Sequence, residues 1–256
     1  MAETPPILIS LSSFGAAEVR RHGQRWFAQL AEQAGADGIE VRGELLADTD
    51  AELPALADLA ARQQRVYSSP EGLWTGAGEF DLNALERGLH ATTLLAAPRL
   101  KMSIGGWSLR ALESLTALRE RLADTAIELV IENDQTASAG TLRALTRFFD
   151  AARSKGLALG MTFDIGNWHW TGECPLQAAT ALAPHVRYVH CKGVQRQPQR
   201  WVAVPIADSA APWRGVLSAL PRGLPWAIEY PLAGDDLIAV TRHEVEQLRG
   251  IAGSLA

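Results

Sequence analysis

The chain is poor in cysteine: only Cys174 and Cys191 occur among 256 residues. They lie in separate segments without metal-ligand spacing, which excludes a disulfide framework or a zinc-thiolate site and leaves two packed or idle thiols. No stretch approaches 18 uninterrupted apolar residues, so a membrane-crossing helix is not expected. Met1 to Pro6 lacks the basic stretch and apolar run of a secretory leader, and the expected location is cytoplasmic. With a net charge of −5 and no block of Lys or Arg, the surface offers no broad footprint for a phosphate backbone, and nucleic acid is excluded as a partner. No Gly-x-Gly-x-x-Gly follows the first apolar run, which removes the usual dinucleotide cradle.

What is present is an alternation. Eight short apolar runs rich in β-branched residues stand between longer segments of helical period: Ile7 to Phe14, Gly38 to Gly43, Arg65 to Ser69, Arg99 to Ile104, Ile127 to Glu132, Leu157 to Asp164, Val186 to His190 and Trp226 to Tyr230. Several are almost continuously apolar, as strands buried on both faces are. The intervening segments carry leucine at spacings of three and four, for example Leu109, Leu112, Leu115, Leu118 and Leu122, or Leu142, Leu145, Phe148 and Ala152. Asp81 is a helix start signal, Pro175 suits a first turn, and Gly156 and Gly223 suit helix ends. With 47% hydrophobic residues and no Ser/Gly-rich linker, the pattern predicts an α/β fold, a single (β/α)8 barrel domain over residues 1–256 with a flexible segment 1–6. From Gly193 to Leu220, Pro198, Pro205 and Pro212 break any long helix, so a long loop followed by a short helix from Trp213 to Leu220 is expected.

In such a barrel the chemistry sits where the strands end. The last four runs each end in one polar residue: Glu132 in IEND, Asp164 in FDIGN, His190 in VHCKG and Glu229 in IEYP. Any one of these is an ordinary loop acid or a structural histidine in most proteins. Three carboxylates and an imidazole converging on one side of the mouth need a cation, and oxygen-rich ligation with one imidazole suits one divalent ion of Mn, Mg, Co or Zn.

On these residues the chain resembles the xylose isomerase-like TIM-barrel superfamily of sugar phosphate isomerases and epimerases, which carries a Glu, Asp, His, Glu quartet on its last four strands. The separations of 32, 26 and 39 residues between the four are similar to the family's, as are GADGIEVR around Glu40 and the segment WVAVPIADSAAPWRGVLSAL. More narrowly, ENDQT, FDIGNWHW and VRYVHCKGV resemble epimerases inferred from bacterial ketogluconate utilisation clusters. The resemblance implies a metal-dependent epimerase or isomerase of a ketose or keto sugar acid. The metal would chelate a carbonyl and an adjacent hydroxyl and stabilise an enediolate. Glu132 and Glu229 would exchange the proton on opposite faces of the substrate, while Asp164 and His190 would mainly hold the ion. An inosose or dehydroshikimate dehydratase is the alternative, since both reactions begin with the same proton. Three-zinc endonucleases of the superfamily need more histidines than this rim offers. A homo-oligomer is in keeping with the family.

Further substrate-binding candidates are Lys192, Arg196, Glu40, Asn167, His169, Trp168 and Trp107. Lys192 stands two residues after His190, against a solvated rim lysine as the ordinary reading. Arg196 stands where some of the family's ketose epimerases place a substrate-binding arginine, against a loop surface charge. The family often has histidine three residues after the Asp; here that position is Asn167, so either His169 takes the role or Asn167 donates instead. Glu40 and Arg42 end the second run, where a structural ion pair competes with substrate binding. Trp168 and Trp107 are expected to offer sugar-facing rings, whereas packing is expected for Trp74 and Trp170. ADSAAPW holds no glycine, which favours an unphosphorylated carbohydrate.

Overall fold

The computed structural model describes residues 4–255. Its strands are β1 (Ile7–Ser10), β2 (Gly38–Arg42), β3 (Gln64–Gly72), β4 (Arg99–Ser103), β5 (Glu128–Glu132), β6 (Gly160–Asp164), β7 (Val186–Cys191), β8 (Gly193–Arg196), β9 (Trp201–Val204) and β10 (Trp226–Ile228). Eight of them, all parallel, close into a barrel in the order β1-β10-β7-β6-β5-β4-β3-β2. The helices are α1 (Ala16–His22), α2 (Gln24–Gln33), α3 (Thr49–Leu59), α4 (Leu82–Leu94), α5 (Ser114–Ala123), α6 (Leu142–Ser154), α7 (Pro175–Leu182), α8 (Trp213–Ala219) and α9 (Leu237–Ser254). No helix among the described residues is long and apolar enough to cross a membrane.

The helix starts follow from side-chain chemistry. Asp81 accepts a hydrogen bond from the Ala84 amide, Asp48 from Ala51, Thr141 from Ala144 and Asp236 from Ala239, each satisfying an amide that the helix itself leaves free. Pro175 opens α7, where its missing N–H costs nothing. The helical residues Leu85, Leu89, Leu115, Leu118, Leu145 and Phe148 are buried against the outside of the barrel, so the 3.6-residue stripe and the outward strand faces form one core, while Leu8, Val66, Tyr188 and Ala227 form a separate cluster.

Besides strand ends shifted by a few residues, three features differ from the sequence expectation. The first run leaves strand geometry after Ser10 and coils into a 3-10 turn, Leu11–Phe14. Leu109 sits in a 3-10 turn ahead of α5 and is more than half exposed, so it is not part of the buried stripe. The segment after β7 is a β-hairpin, β8 paired antiparallel with β9, rather than an open loop. Pro198 falls in its turn, closed by the Gln197 amide donating to the Arg200 carbonyl, and α8 follows at Trp213 as expected. Of the N-terminal segment 1–6, residues 1–3 lie outside the described residues. Pro5 is buried, and the Pro6 carbonyl accepts from the Trp226 amide, which ties both prolines to the barrel floor.

Gly105, at the exit of β4, has φ +60°, and a Cβ there would lie 2.1 Å from the Trp74 carbonyl oxygen. This glycine lets the loops after β3 and β4 cross beside Trp74. Gly105→Ala should lower unfolding stability by about 2 kcal/mol or more in a denaturant titration, from strain and overlap together; an unchanged midpoint would show that the loops part without cost.

Candidate metal centre

Glu132, Asp164 and His190 lie at the C-terminal ends of β5, β6 and β7, and Glu229 follows β10 directly. One ligand atom from each lies within 4.8 Å of every other, which suits a single ion with bonds of roughly 2.0–2.4 Å. Strand register accounts for the meeting. His190 pairs with Asp164 on one side and Ala227 on the other, so ligands on neighbouring strands end at nearly one height.

Local bonds set each ligand. Asp164 Oδ1 accepts from the amides of Gly166 and Asn167, at 2.8 and 2.9 Å, which leaves Oδ2 turned into the cluster. The buried Asn133 accepts from the Asp164 amide and donates to its carbonyl, at 2.8 and 3.0 Å, and so fastens this strand end to the next. His190 Nε2 lies 2.8 Å from Glu40, and its Nδ1 faces Glu229 at 3.0 Å and Glu132 at 3.1 Å. Three carboxylates and a ring nitrogen aimed at one point are a hard-cation donor set, and the residues present fit a divalent ion.

Cations already in the chain thread this cluster. Lys192 Nζ stands 2.8 Å from Asp164 Oδ2, 2.7 Å from Glu229 Oε2 and 3.1 Å from Asn167 Oδ1. Lys101 Nζ lies 3.0 Å from Glu40 and 2.9 Å from Glu132. Arg42 donates to Glu229 Oε1 at 2.6 Å. Gly166 makes room for the Lys192 stem, since a Cβ there would lie 2.8 Å from Lys192 Cγ. Burial pushes the carboxyl groups up, but Lys192 and His190 outweigh it at Glu229, Lys101 and His190 at Glu132, and His190 and Lys101 at Glu40, so all three stay below the usual carboxylate range. At Asp164 burial wins over Lys192, and its carboxyl is raised. Lys192 is pushed up by Asp164 and Glu229 against its burial.

The remaining sequence candidates fall into three places. Lys192 and Asn167 are inside the cluster. Asn167 donates to the Asn133 carbonyl at 2.9 Å, so its accepting oxygen is what it turns toward Lys192. His169 and Arg196 gather around Trp201 of β9, the imidazole 4.9 Å from the indole ring and the guanidinium 5.2 Å above it; the His169 imidazole is held below its ordinary range by burial. Trp168, Trp107 and Glu40 are corrections to the expectation of substrate contact. Trp168 has no exposed surface, because the 3-10 turn Asn167–His169 folds its indole onto Phe163. Trp107 packs edge-on against Phe148 and Trp74 and is nearly buried. Glu40 is fully buried beneath His190. Lys101 was missed by sequence reasoning, although a lysine between Leu100 and Met102 in a doubly buried strand was itself a signal. Beside Lys192 and Glu229 a cavity of about 320 Å³ opens between Ser12, Phe14, Ala203 and Leu232.

The family model described as xylose isomerase-like TIM barrel matches residues 28–250 of the chain. No curated protein matches it in sequence. Among solved structures, the probable 3-DHS dehydratase AsbF of petrobactin synthesis from Bacillus anthracis superposes with a TM-score of 0.68 at 14% identity, covering 95% of this chain and 98% of that one. The 3-keto-D-glucoside 4-epimerase YcjR from E. coli gives 0.62 at 16% identity over 96% and 99%. A D-psicose 3-epimerase studied with D-fructose gives 0.64 at 15% over 97% of both chains. At these identities the likeness is one of fold.

Stability should depend on acid through this cluster. Glu40, Glu132 and Glu229 have folded values below the ordinary 4.5, so their contribution is present above pH 4.5 and is lost as pH falls through that range. Asp164, raised from 3.8, has the opposite sign: its contribution is complete below pH 3.8 and is lost as pH rises through its folded value. Three groups against one predict that the melting midpoint of chelator-treated protein falls as pH drops from 5 to 3, with a shallower fall in Glu40→Gln. Equal slopes in the two proteins would remove Glu40 from this account.

Proposed function

The chain belongs to the xylose isomerase-like TIM-barrel family, and from that footing we propose that it is a divalent-metal-dependent epimerase or isomerase of a ketose or keto sugar acid. The observation that carries the reading is the meeting of Glu132, Asp164, His190 and Glu229 around one point. An ion held there would supply Lewis acidity toward a substrate carbonyl and its neighbouring hydroxyl.

The rest of the chemistry belongs to side chains. Glu132 and Glu229 do the acid/base work: one carboxylate takes the proton from the carbon beside the carbonyl, and the other returns a proton to the opposite face. Lys101 grips Glu132, and Arg42 and Lys192 each grip one oxygen of Glu229, so both carboxylates hold fixed planes. Asp164, with one oxygen committed to backbone amides, holds rather than reacts. The Lys192 ammonium stabilises the oxyanion that develops as the proton leaves. His169 and Arg196 line the approach from the hairpin, and the cavity beside Glu229 receives the sugar. The fold shared with D-psicose 3-epimerase and 3-keto-D-glucoside 4-epimerase supports a small carbohydrate as substrate, handled by a single domain.

A second reading has its own observation. Lys192 places an ammonium between Asp164 and Glu229, a proton donor that could expel a hydroxyl as water, as a dehydratase of an inosose or dehydroshikimate-like substrate requires. The fold is also that of the probable 3-DHS dehydratase.

Incubation of Mn2+-loaded protein in D2O with ketoses, keto sugar acids and inososes separates the two by mass spectrometry. Deuterium entering carbon without loss of water is the expected result; a product lighter by one water moves the assignment to the dehydratase. Glu132→Gln and Glu229→Gln should each lose about 10²–10⁴-fold in turnover, and near-normal activity in either would take that residue out of the acid/base pair. His190→Ala should weaken Mn2+ binding while leaving the circular dichroism spectrum intact.

A further inference from the structure

We propose that Glu40 is the positioning residue that aims His190 at the metal position, with Lys101 as the counter-ion that holds Glu40 in place. The inference rests on the metal reading of the site and extends it to two residues that touch neither ion nor substrate. β2 and β7 are not neighbours in the barrel, since β1 and β10 separate them. The Glu40 carboxylate therefore reaches His190 across the interior, with Oε2 at 2.8 Å from Nε2.

A carboxylate at that distance only accepts, so Nε2 carries a proton; with Nε2 committed to Glu40, Nδ1 is the nitrogen left to shed its proton and offer a lone pair to an ion held between the other carboxylates. Nδ1 is the nitrogen that faces Glu132, Asp164 and Glu229. The other oxygen of Glu40 is held by Lys101 Nζ at 3.0 Å and by the Ser10 hydroxyl at 3.3 Å. The same ammonium reaches Glu132 from β4, so one cation ties the orienting carboxylate to a ligand carboxylate. Glu40 and Lys101 are 0% and 1% exposed, which rules out a part in substrate contact. Stability alone is a weak reason for the pair, because apolar side chains of similar volume often stabilise as much as a buried ion pair. Fixing the ring and its tautomer does account for them: partners of this kind are worth about 10–100-fold in metal affinity.

The test is Mn2+ affinity by calorimetry, together with 15N-histidine NMR of the Zn2+-loaded protein, with the His190 signals assigned by loss in His190→Gln. Wild type should show a protonated Nε2 and an unprotonated Nδ1 at His190. Glu40→Met/Lys101→Met, which removes both charges together, should keep the circular dichroism spectrum and bind Mn2+ about 10–100-fold more weakly. Lys101→Met alone loosens Glu40 while freeing Glu132 of its ammonium, and should bind more tightly than the double variant. Glu40→Gln retains an accepting oxygen and should fall between wild type and the double variant; if the double variant does not fold, a loss in Glu40→Gln still supports the role. Wild-type affinity in the folded double variant, or in Glu40→Gln should the double variant not fold, would overturn it, as would a proton on Nδ1 in the wild type. A wild type that binds no Mn2+ would remove the metal reading itself, and this inference with it.

Discussion

Glu40, Glu132, Asp164 and Glu229 crowd the top of the barrel interior, and four carboxylates this close stay ionised only if cations are set among them. His190, Lys101, Lys192 and Arg42 do that from three strands, β7 and its end, β4 and β2. Each cation touches two or more acids, so no single pair can be removed without leaving another group unsatisfied. The strand ends are thereby held in mutual register by charge as well as by the backbone ladder. The donor atoms of Glu132, Asp164, His190 and Glu229 accordingly lie within 4.8 Å of one another.

The two lysines differ in what they are free to do. Lys101 is sealed under the site between Glu40 and Glu132, and its reach ends with carboxylates of the chain. Lys192 stands at the wall of the cavity that opens beside Glu229, between the carboxylates of Asp164 and Glu229. The hairpin after β7 completes that side. Val194 is buried and tied to the Ser209 hydroxyl, while Trp201 carries His169 and Arg196 on its ring. A rigid inner lattice and a more exposed aromatic and basic edge are the division expected of a site that must both hold charge and admit a polar ligand.

Much of this was legible in the residues. The eight apolar runs, the helical stripes and the four strand-end residues Glu132, Asp164, His190 and Glu229 needed only periodicity and the rule that barrel chemistry sits at strand C-termini. The hairpin was not legible, because the prolines that exclude a helix are equally at home in a hairpin turn. Trp168 and Trp107 were misplaced because a tryptophan in a strand-end loop turns inward or outward according to the backbone of that loop, which local pattern does not encode. Lys101 was passed over because a charged residue inside an apolar run is read as noise unless its partners are known. Those partners, Glu40 and Glu132, lie 61 and 31 residues away.

By itself, then, the order of amino acids determined the barrel, the strand ends and which side chains stand on them, since these follow from short-range periodicity and chain direction. Only the tertiary structure decided which nitrogen of His190 faces the ligands, which acid holds the ring from behind, and which lysine is sealed in and which is presented to the cavity. Those are matters of distance across a closed sheet. They depend on the register of strands far apart in sequence, and no local spacing carries that information.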